Sequence, residues 1–315
     1  MSDAWLITGG SGFVGKTLLT RLLKSDQRPP VLRVLVRQPS DAPARVEPCV
    51  GDLREPLSLH RACEGVDTVI HLAGIAHVGS AASAEARAIN LDGSLALLRA
   101  AIDAGARRFV FLSSTLSLDD SLHYGRDKRC VEEALIAAAA AGSIEVVVLR
   151  AVNIYGVGMR GNIATMIRLI SSGALPRLPT LSNRLSLVGV DDVVSALLLA
   201  ATHVSLNDSS AKLAIRVTLT DGCEYRINTI EEAIYTAVER RPSHWRLPAV
   251  VLFTASGLAE LLEKLRIFRS GIGLRTYRNL TRDNLFDNQS ARTELGFEPT
   301  TTFFEQLDTL VHRSE

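Results

Sequence analysis

A segment near the amino terminus restricts the fold more than any other, because an apolar run, three spaced glycines and an amphipathic run follow one another there. The letters "AWLIT" at residues 4–8 predict a buried strand, and residues 15–24 have the spacing of a helix. Gly9, Gly12 and Gly15 lie between the two, in "TGGSGFVG". Glycines at this point allow a sharp turn and let backbone N–H groups at the helix start approach a pyrophosphate. The pattern therefore predicts a dinucleotide-binding strand–loop–helix unit.

The same alternation of short apolar runs and longer helical patterns continues through the first half of the chain. Four more apolar runs predict buried parallel strands, at residues 31–36, 67–73, 108–113 and 145–150. Helical patterns lie between them, at Ala84–Ala104 and Leu122–Ala141. Strands and helices that take turns predict an α/β fold of the Rossmann type, with a doubly wound parallel sheet.

After Arg150 the alternation loosens, and no linker is visible. We therefore predict a Rossmann domain for NAD(P) over residues 1–150. Residues 151–315 are expected to supply the remaining sheet strands and a smaller, interwoven substrate-binding lobe.

Composition excludes several classes of protein. With 47% hydrophobic and 22% charged residues among 315, the chain can bury a large core, and its net charge of +1 does not indicate a nucleic-acid partner. The four scattered cysteines are expected to be free thiols in a cytoplasmic protein. The apolar segment 247–265 is interrupted by Glu260 and Glu263, so we expect a packed helix and no stable membrane insertion.

Residue 37, at the end of the second predicted strand, bears on the choice of dinucleotide. Chains that bind NAD usually carry an acidic residue about 20 positions after the glycines, where it holds the adenosine ribose hydroxyls. Here Val36 is followed by Arg37. A guanidinium pairs with a 2′-phosphate, which a carboxylate would repel. The sequence favours NADP(H), with NAD(H) as the alternative if Arg37 stacks on adenine or points to solvent.

Motifs along nearly the whole chain resemble those of the extended short-chain dehydrogenases/reductases, in the NAD-dependent epimerase/dehydratase family that acts mostly on nucleotide sugars. They follow the order seen in that family: "TGGSGFVG" (8–15), "GDL" (51–53), "HLAG" (71–74), "NLDGSLALLRAA" (90–101), "FLSST" (111–115), "YGRDK" (124–128), "LRAVNIYGVG" (149–158), "VDDV" (190–193) and "ARTELGFEP" (291–299).

The resemblance implies a set of cofactor-binding residues. Asp52 resembles the residue that binds the adenine amino group, and Asn90 resembles the helix asparagine that braces the active-site segments. The full predicted cofactor set is Gly9, Gly12, Phe13, Val14, Gly15, Arg37, Asp52, Leu53, Leu72, Ala73, Gly74, Asn90, Tyr124 and Lys128.

The resemblance also implies the catalytic residues. Ser114 falls on the family's catalytic hydroxyl, Tyr124 on its acid/base and Lys128 on the partner of that tyrosine, while Thr115 is a second candidate hydroxyl. Tyr124 and Lys128 are four positions apart, which places them on one helix face. A free phenol has a pKa near 10, and a nearby ammonium and an oxidised nicotinamide favour its phenolate. Such a tyrosine can pass a proton to or from a sugar oxygen.

The histidines are not expected to take part in this chemistry. His71, His77 and His123 lack the spacing of metal ligands, so no metal site is predicted and we interpret them as packing or loop residues.

Two departures from the family narrow the expected substrate site. Only nine residues separate Ser114 from Tyr124, where family members usually carry a longer loop. Asn153 and Asn162 resemble asparagines near the substrate diphosphate. However, Leu185 stands where the family often has a phosphate-binding arginine, and Arg184 precedes it.

These features favour one reaction and leave three alternatives open. We predict NADPH-dependent reduction of a nucleotide-linked 4-keto-6-deoxy-sugar in the synthesis of surface-polysaccharide precursors, by a homodimer. Thr115 and Leu116 follow Ser114 where dehydratases carry acidic residues, and Arg37 suits a net reductase. The alternatives are an NAD-dependent nucleotide-sugar 4-epimerase, a reductase of small ketones or aldehydes, and a non-catalytic NADP-binding regulator.

Overall fold

A computed structural model gives the fold of the chain over most of its length. The described residues are 4–25, 28–75, 83–119, 122–174, 176–202, 213–246 and 283–312, with the single positions 248, 250, 251, 254 and 257. His77 and most of the apolar segment 247–265 lie outside the described residues.

A parallel sheet forms the centre of the first part of the chain, as the sequence predicted, and it has seven strands. Its strands are β1 (Ala4–Thr8), β2 (Val31–Val36), β3 (Glu47–Val50), β4 (Thr68–His71), β5 (Arg108–Ser114), β6 (Glu145–Ala151) and, from later in the chain, β10 (Ala214–Leu219). Their order is 3-2-1-4-5-6-10, and all neighbouring pairs are parallel. The first six strands follow the order of doubly wound dinucleotide-binding folds.

Helices flank this sheet and bury apolar faces against it. They are α1 (Phe13–Lys24), α2 (Pro56–Cys63), α3 (Ser83–Arg87), α4 (Ser94–Asp103), α5 (His123–Ala140), α7 (Val190–Thr202) and α9 (Gln289–Leu295). In α1, Leu18 and Leu22 are buried one turn apart, as an amphipathic helix requires. On the sheet, Leu6 and Phe109 are fully buried and belong to the same apolar cluster.

In the first half of the chain, the sequence patterns predicted neither the strand β3 nor the helix α2. β3 has the sequence "EPCV" and is exposed at three of its four positions, so it lacks the apolar run on which a strand prediction depends. It forms the edge of the sheet, where Pro48 is tolerated because one side of an edge strand needs no hydrogen bonds.

The predicted helix over residues 84–104 is interrupted. A π-helix, Ala88–Gly93, separates α3 from α4. Such wide turns are rare and occur often at functional sites.

The chain divides into two units, each made of segments that alternate along the sequence. The first unit comprises Met1–Val152, Val190–Leu219 and Asn288–Glu298. The second comprises Asn153–Gly189, Thr220–Asp287 and Pro299–Glu315.

The second unit has its own small sheets and core. Its described elements are β7 (Asn153–Tyr155), β8 (Arg184–Leu185), β9 (Leu187–Gly189), β11 (Tyr225–Arg226), α6 (Asn162–Ser172), α8 (Ile227–Ala237) and α10 (Phe303–His312). β7 pairs with β9 in parallel, and β8 pairs with β11 in the antiparallel sense. At the core, the buried Asp221 carboxylate accepts hydrogen bonds from the hydroxyls of Tyr155 (3.3 Å) and Tyr225 (2.6 Å).

None of the described helices is both long enough and apolar enough to span a membrane.

Candidate active site

The glycine loop between β1 and α1 is packed so closely that side chains would not fit. Gly9 has a φ of +75°, and a Cβ built on it would lie 2.6 Å from the backbone nitrogen of Ala73. A Cβ on Gly15 would overlap the carbonyl oxygen of Gly9. The glycines therefore bring the loop against both the start of α1 and the end of β4.

The start of α1 has the features of an anion site. Gly12 is the N-cap residue and, having no side chain, leaves the first N–H groups of the helix without a side-chain cap. Phe13 and Val14 begin the helix behind it. N–H groups without a side-chain cap and the positive end of the helix dipole both favour a phosphate. These residues fit the pyrophosphate of a dinucleotide.

A cation follows β2, where the adenosine ribose is predicted to bind. Arg37 is exposed, and among the described residues no hydrogen bond or ion pair holds its side chain. The first carboxylate after β2 is that of Asp41, which accepts a hydrogen bond from the backbone of Gln38 (3.3 Å). The positive charge of Arg37 is therefore available to a ligand at this edge.

Asp52, the predicted adenine ligand, follows β3 and is paired with Arg54. Two hydrogen bonds join the guanidinium to the carboxylate, at 2.9 and 2.7 Å. The bonds from Arg54 lower the pKa of Asp52 to about 2, and the charge of Arg37 makes a smaller contribution to this shift. Oδ1 also accepts a bond from the Arg54 backbone nitrogen (2.9 Å), whereas Oδ2 keeps a second lone pair that can accept a bond from an adenine amino group. The neighbouring Leu53 is buried in the core.

Asn90 joins the π-helix to the segment after β4, which contains the predicted cofactor residues Leu72, Ala73 and Gly74. Its amide nitrogen donates to the carbonyl of Ile75 (3.0 Å), and its amide oxygen accepts from the Ile75 backbone nitrogen (2.7 Å). A Cβ on Gly74 would lie 3.1 Å from the Asn90 oxygen and 3.7 Å from Lys128 Nζ. The structure thus brings Gly74, Asn90 and Lys128 together.

His71 is buried beneath this region and takes a structural position. Its Nδ1 lies 2.6 Å from Thr8 Oγ1, and its Nε2 lies 2.8 Å from Ser94 Oγ, which donates to the carbonyl of Asn90 (2.7 Å). Burial lowers the pKa of His71 to about 3, and the nearby charge of Lys128 adds to this. A neutral imidazole therefore links the end of β1 to the π-helix.

Ser113 and Ser114 point in opposite directions at the end of β5, as strand alternation requires. The Ser113 hydroxyl donates to Glu132 (2.5 Å) and is buried. The Ser114 oxygen accepts a bond from the backbone nitrogen of Leu116 (3.2 Å), and the residue is half-buried. The Ser114 hydroxyl can still donate its hydrogen to a ligand. Thr115 is buried at the start of a short 3₁₀-helix, Thr115–Leu118.

The short segment after Ser114 packs directly on the start of α5. A Cβ on Gly125 would overlap the carbonyl oxygen of Leu116, so only glycine allows the 3₁₀-helix and α5 to approach this closely. Tyr124, half-buried beside Gly125, is thereby held near the end of β5.

Lys128 is buried one helical turn beyond Tyr124. Its ammonium donates to the carbonyl of Leu112 (3.0 Å), and lies 4.3 Å from the ring centroid of Phe111 and 5.9 Å from that of Tyr124. Burial lowers the pKa of Lys128 to about 8, and the charge of Glu132 opposes this shift. The lysine is therefore charged at neutral pH, close to the tyrosine that it is predicted to assist.

The sequence patterns missed Glu132 and Arg150, which lie behind Lys128. The fully buried Glu132 carboxylate accepts from Arg150 Nε at 3.0 Å and from its terminal nitrogen at 2.5 Å. The sequence did contain a signal for Glu132, because this residue lies four positions after Lys128, as Lys128 lies four positions after Tyr124.

The three remaining predicted substrate residues belong to the second unit. Asn153 is exposed on β7, and Asn162 is exposed at the first position of α6. Arg184 pairs with Glu224 (3.0 Å) and lies 3.8 Å from Asp283, while Leu185 is buried in the core of the unit. The positive charge of Arg184 is thus already balanced by carboxylates.

Comparisons with known proteins agree with this architecture. Two solved structures match over nearly their whole length: MoeE5 in complex with UDP-glucose and NAD (23% identity, TM-score 0.74, covering 99% of this chain and 98% of that one), and RMD from Pseudomonas aeruginosa complexed with NADPH (21%, 0.72, 100% and 98%). At these identities they establish the fold.

Sequence relatives establish the family. The UDP-glucose 4-epimerase of Vibrio cholerae is 30% identical over 274 residues, which are 80% of each chain. The pattern of the NAD dependent epimerase/dehydratase family matches residues 5–215. The chain therefore belongs to the NAD-dependent epimerase/dehydratase family, and is an NAD(P)-dependent enzyme of that family.

Proposed function

We propose that this protein reduces a nucleotide-linked 4-keto-6-deoxy-sugar with NADPH. The proposal rests mainly on Arg37. This residue is exposed after β2, and no carboxylate among the described residues is bound to it. A 2′-phosphate would pair with this guanidinium. Cells keep the phosphorylated cofactor largely reduced, which favours net reduction over an internal redox cycle.

The residues at the end of β5 and the start of α5 would perform the proton chemistry. The Ser114 hydroxyl would donate a hydrogen bond to the carbonyl oxygen of the sugar. The Tyr124 hydroxyl would transfer its proton to that oxygen as the carbonyl is reduced. Lys128 would stabilise the phenolate left behind, because its ammonium lies 5.9 Å from the tyrosine ring. The bound cofactor would supply the hydride.

The surroundings of Ser114 argue against dehydration, which needs a further acid and base. Thr115 and Leu116 follow the serine, and Thr115 is buried. The Glu132 carboxylate lies behind Ser113, and Arg150 holds it there. Neither neighbour of Ser114 therefore offers a carboxylate to a substrate.

The second unit would act as the substrate lobe, with Asn153 and Asn162 as ligands of the nucleotide diphosphate. Both side chains are exposed, and Asn162 opens α6, whose N-cap Gly161 provides no side-chain cap. Arg184 would contribute less, since binding a phosphate would require it to leave Glu224.

The test is to supply UDP-4-keto-6-deoxy-N-acetylglucosamine with NADPH, and to follow the loss of cofactor absorbance and the product mass. A product heavier by two hydrogens supports the proposal. Tyr124→Phe serves as the inactive control. No reduction of this or of the corresponding dTDP- and GDP-linked keto-sugars would contradict it.

The cofactor part is tested separately, by titrating NADP and NAD against the wild type and Arg37→Ala. We expect NADP to bind about tenfold or more tightly in the wild type, and the preference to disappear in the variant. Arg99→Ala, which removes another exposed arginine, should keep the preference. Equal binding of both cofactors by the wild type would contradict this part.

A 4-epimerase is the second candidate, and the observation that favours it is the 30% identity to the Vibrio cholerae UDP-glucose 4-epimerase. Interconversion of UDP-hexoses without added cofactor would establish it. Reduction of small ketones with no response to nucleotide sugars would support a third function, with which the buried Leu185 is compatible.

A further inference from the structure

The face of α5 that carries Tyr124 and Lys128 continues to a third polar residue. Residues four apart share a helix face, so Glu132 follows Lys128 as Lys128 follows Tyr124. Glu132 is fully buried. Burying a carboxylate costs folding free energy unless hydrogen bonds or an ion pair stabilise its charge. The surroundings of Glu132 show which groups do so.

Two neighbouring strands fix the Glu132 carboxylate from the side opposite the helix. Ser113 on β5 donates to one oxygen (2.5 Å), and Arg150 on β6 donates to both, at distances from 2.5 to 3.2 Å. These bonds leave the carboxylate little freedom to rotate. They hold a negative charge at a fixed place, one helical turn from the Lys128 ammonium.

Lys128 itself has no carboxylate bound to it among the described residues. Its ammonium is buried, and donates to the Leu112 carbonyl. Burial favours the neutral amine and lowers the pKa of Lys128 to about 8, while the charge of Glu132 acts in the opposite direction.

Other charged groups on the elements packed against α5 do not replace Glu132. Asp127 pairs with Arg87 (3.2 Å), His71 is buried and neutral, and Arg129 donates to the carbonyl of Ser117. Arg108 and Glu145 pair with each other at the first residues of β5 and β6, at the ends of these strands away from Ser113 and Arg150. The rest are exposed, namely Glu85, Asp92, Arg99, Asp103, His123, Arg126, Glu133 and Arg216.

We propose that Glu132 is a positioning residue for the reaction, a buried counter-charge that keeps the Lys128 ammonium protonated beside Tyr124. Ser113 and Arg150 serve to hold this counter-charge in place. The inference rests on the proposed function, because a proton donated by Tyr124 needs a charged Lys128 next to it.

The experiment measures the titration of Lys128 by NMR in protein labelled with ¹³C at lysine Cε, with no substrate present. The chain has five lysines (Lys16, Lys24, Lys128, Lys212 and Lys264), and Lys128→Met identifies the resonance. We expect a midpoint near pH 8 in the wild type. In Glu132→Gln it should fall by about one pH unit or more, as expected when an opposite charge is removed from this range.

Two variants separate the role of the charge from a purely structural one. Glu133→Gln removes the next carboxylate, which is exposed, and should leave the midpoint unchanged. Glu132→Asp keeps the charge and should restore a midpoint near that of the wild type. If Glu132→Gln does not fold, the double variant Glu132→Gln/Arg150→Gln removes both charges. The midpoint should then fall by a smaller amount, because the lost positive charge of Arg150 offsets part of the lost negative charge of Glu132.

Equal midpoints in the wild type and the Glu132→Gln or double variant would overturn the inference. The result is independent of the substrate assay. If the midpoint falls but no keto-sugar is reduced, Glu132 keeps its role and the proposed substrate is wrong. If keto-sugars are reduced but the midpoint does not move, the proposed function stands and the role of Glu132 fails.

Discussion

Two buried cations near opposite ends of β5, Arg108 and Lys128, are treated differently by this fold. Arg108 begins β5 and is almost inaccessible to solvent. Its guanidinium binds Glu145 twice, at 2.8 and 3.0 Å, and also donates to the carbonyls of Ala200 and Ala201 at the end of α7. Lys128 lies beyond the other end of β5, and its ammonium donates to the carbonyl of Leu112.

We infer from this difference in hydrogen-bond partners that the Arg108 and Lys128 charges have different roles. The Arg108 guanidinium is bound by the Glu145 carboxylate and by two backbone carbonyls, so its charge is balanced by groups of the fold itself. No hydrogen bond or ion pair among the described residues joins the Lys128 ammonium to the Glu132 carboxylate, so the field of the ammonium is available to Tyr124 and to a ligand. Incomplete pairing of a buried charge is costly for stability, and functional sites are where proteins accept that cost.

The largest effect is expected at Tyr124, the proposed proton donor next to Lys128. Tyr124→Phe should lower kcat by about 10²–10⁴-fold, because the proton donor is lost. Cofactor affinity, measured by calorimetry, should remain within about twofold of the wild type, since the phenol does not hold the pyrophosphate. Near-normal turnover would place the acid elsewhere, and His123, exposed one residue before, would be tested next.

Stability measurements on the two cations would test the comparison itself. Arg108→Met should lower the free energy of unfolding by about 3 kcal/mol, because Glu145 and the α7 carbonyls lose a partner. Lys128→Met should raise it by about 1–3 kcal/mol at pH 7 while abolishing activity, because it removes a buried ammonium whose pKa is lowered to about 8. Urea unfolding at pH 7 measures both. Destabilisation of similar size in both variants would show that the fold balances the two charges equally well.

The pH dependence of activity should reflect the partly balanced charge of Lys128. The folded protein binds the Lys128 proton less tightly than the unfolded chain does, so the ammonium is lost as the pH rises through about 8. We expect kcat/KM to fall above this pH, and stability to rise between it and the ordinary lysine value of 10.5. A flat rate profile up to pH 10 would show that the charge of Lys128 is not needed.

The smallest effect is expected at Arg184, which is paired as Arg108 is, but has 43% of its side chain exposed. Arg184→Ala should change KM for the nucleotide sugar by less than about threefold, because Glu224 already occupies the guanidinium. Asn162→Ala, at the start of α6, should raise KM more. A larger effect of Arg184→Ala would mean that the arginine leaves Glu224 when substrate binds.

Much of the fold could be predicted from the sequence because buried parallel strands are continuous apolar runs. The runs at 31–36 and 145–150 agree with β2 and β6 to within one residue. β3 could not be predicted, since it is an exposed edge strand that contains Pro48. The π-helix at Asn90 also left no mark in the periodicity, because its width depends on packing against neighbouring segments.

In the candidate site, too, local motifs could be predicted from the sequence, whereas contacts between separate elements could not. Motif spacing placed Ser114, Tyr124 and Lys128 in the chain, and the structure brings Lys128 close to Tyr124. The contacts of Glu132 with Ser113 and Arg150 join three separate elements, so no local pattern contains them. Which charges are paired, and which are left available, depends on such contacts.

Hydride transfer from NADPH to the keto-sugar is tested most directly by following an isotope from the cofactor to the product. The enzyme is incubated with the UDP-4-keto-6-deoxy-sugar and NADPH deuterated at C4 on the face that is transferred, and the product is examined by mass spectrometry and NMR. We predict one deuterium on C4 of the sugar and one hydrogen on its oxygen, with one NADPH oxidised for each product molecule, and no labelled product from Tyr124→Phe. An enzyme that returns the sugar with no deuterium and no net oxidation of NADPH, or a Tyr124→Phe variant that forms the labelled product at the normal rate, would contradict it.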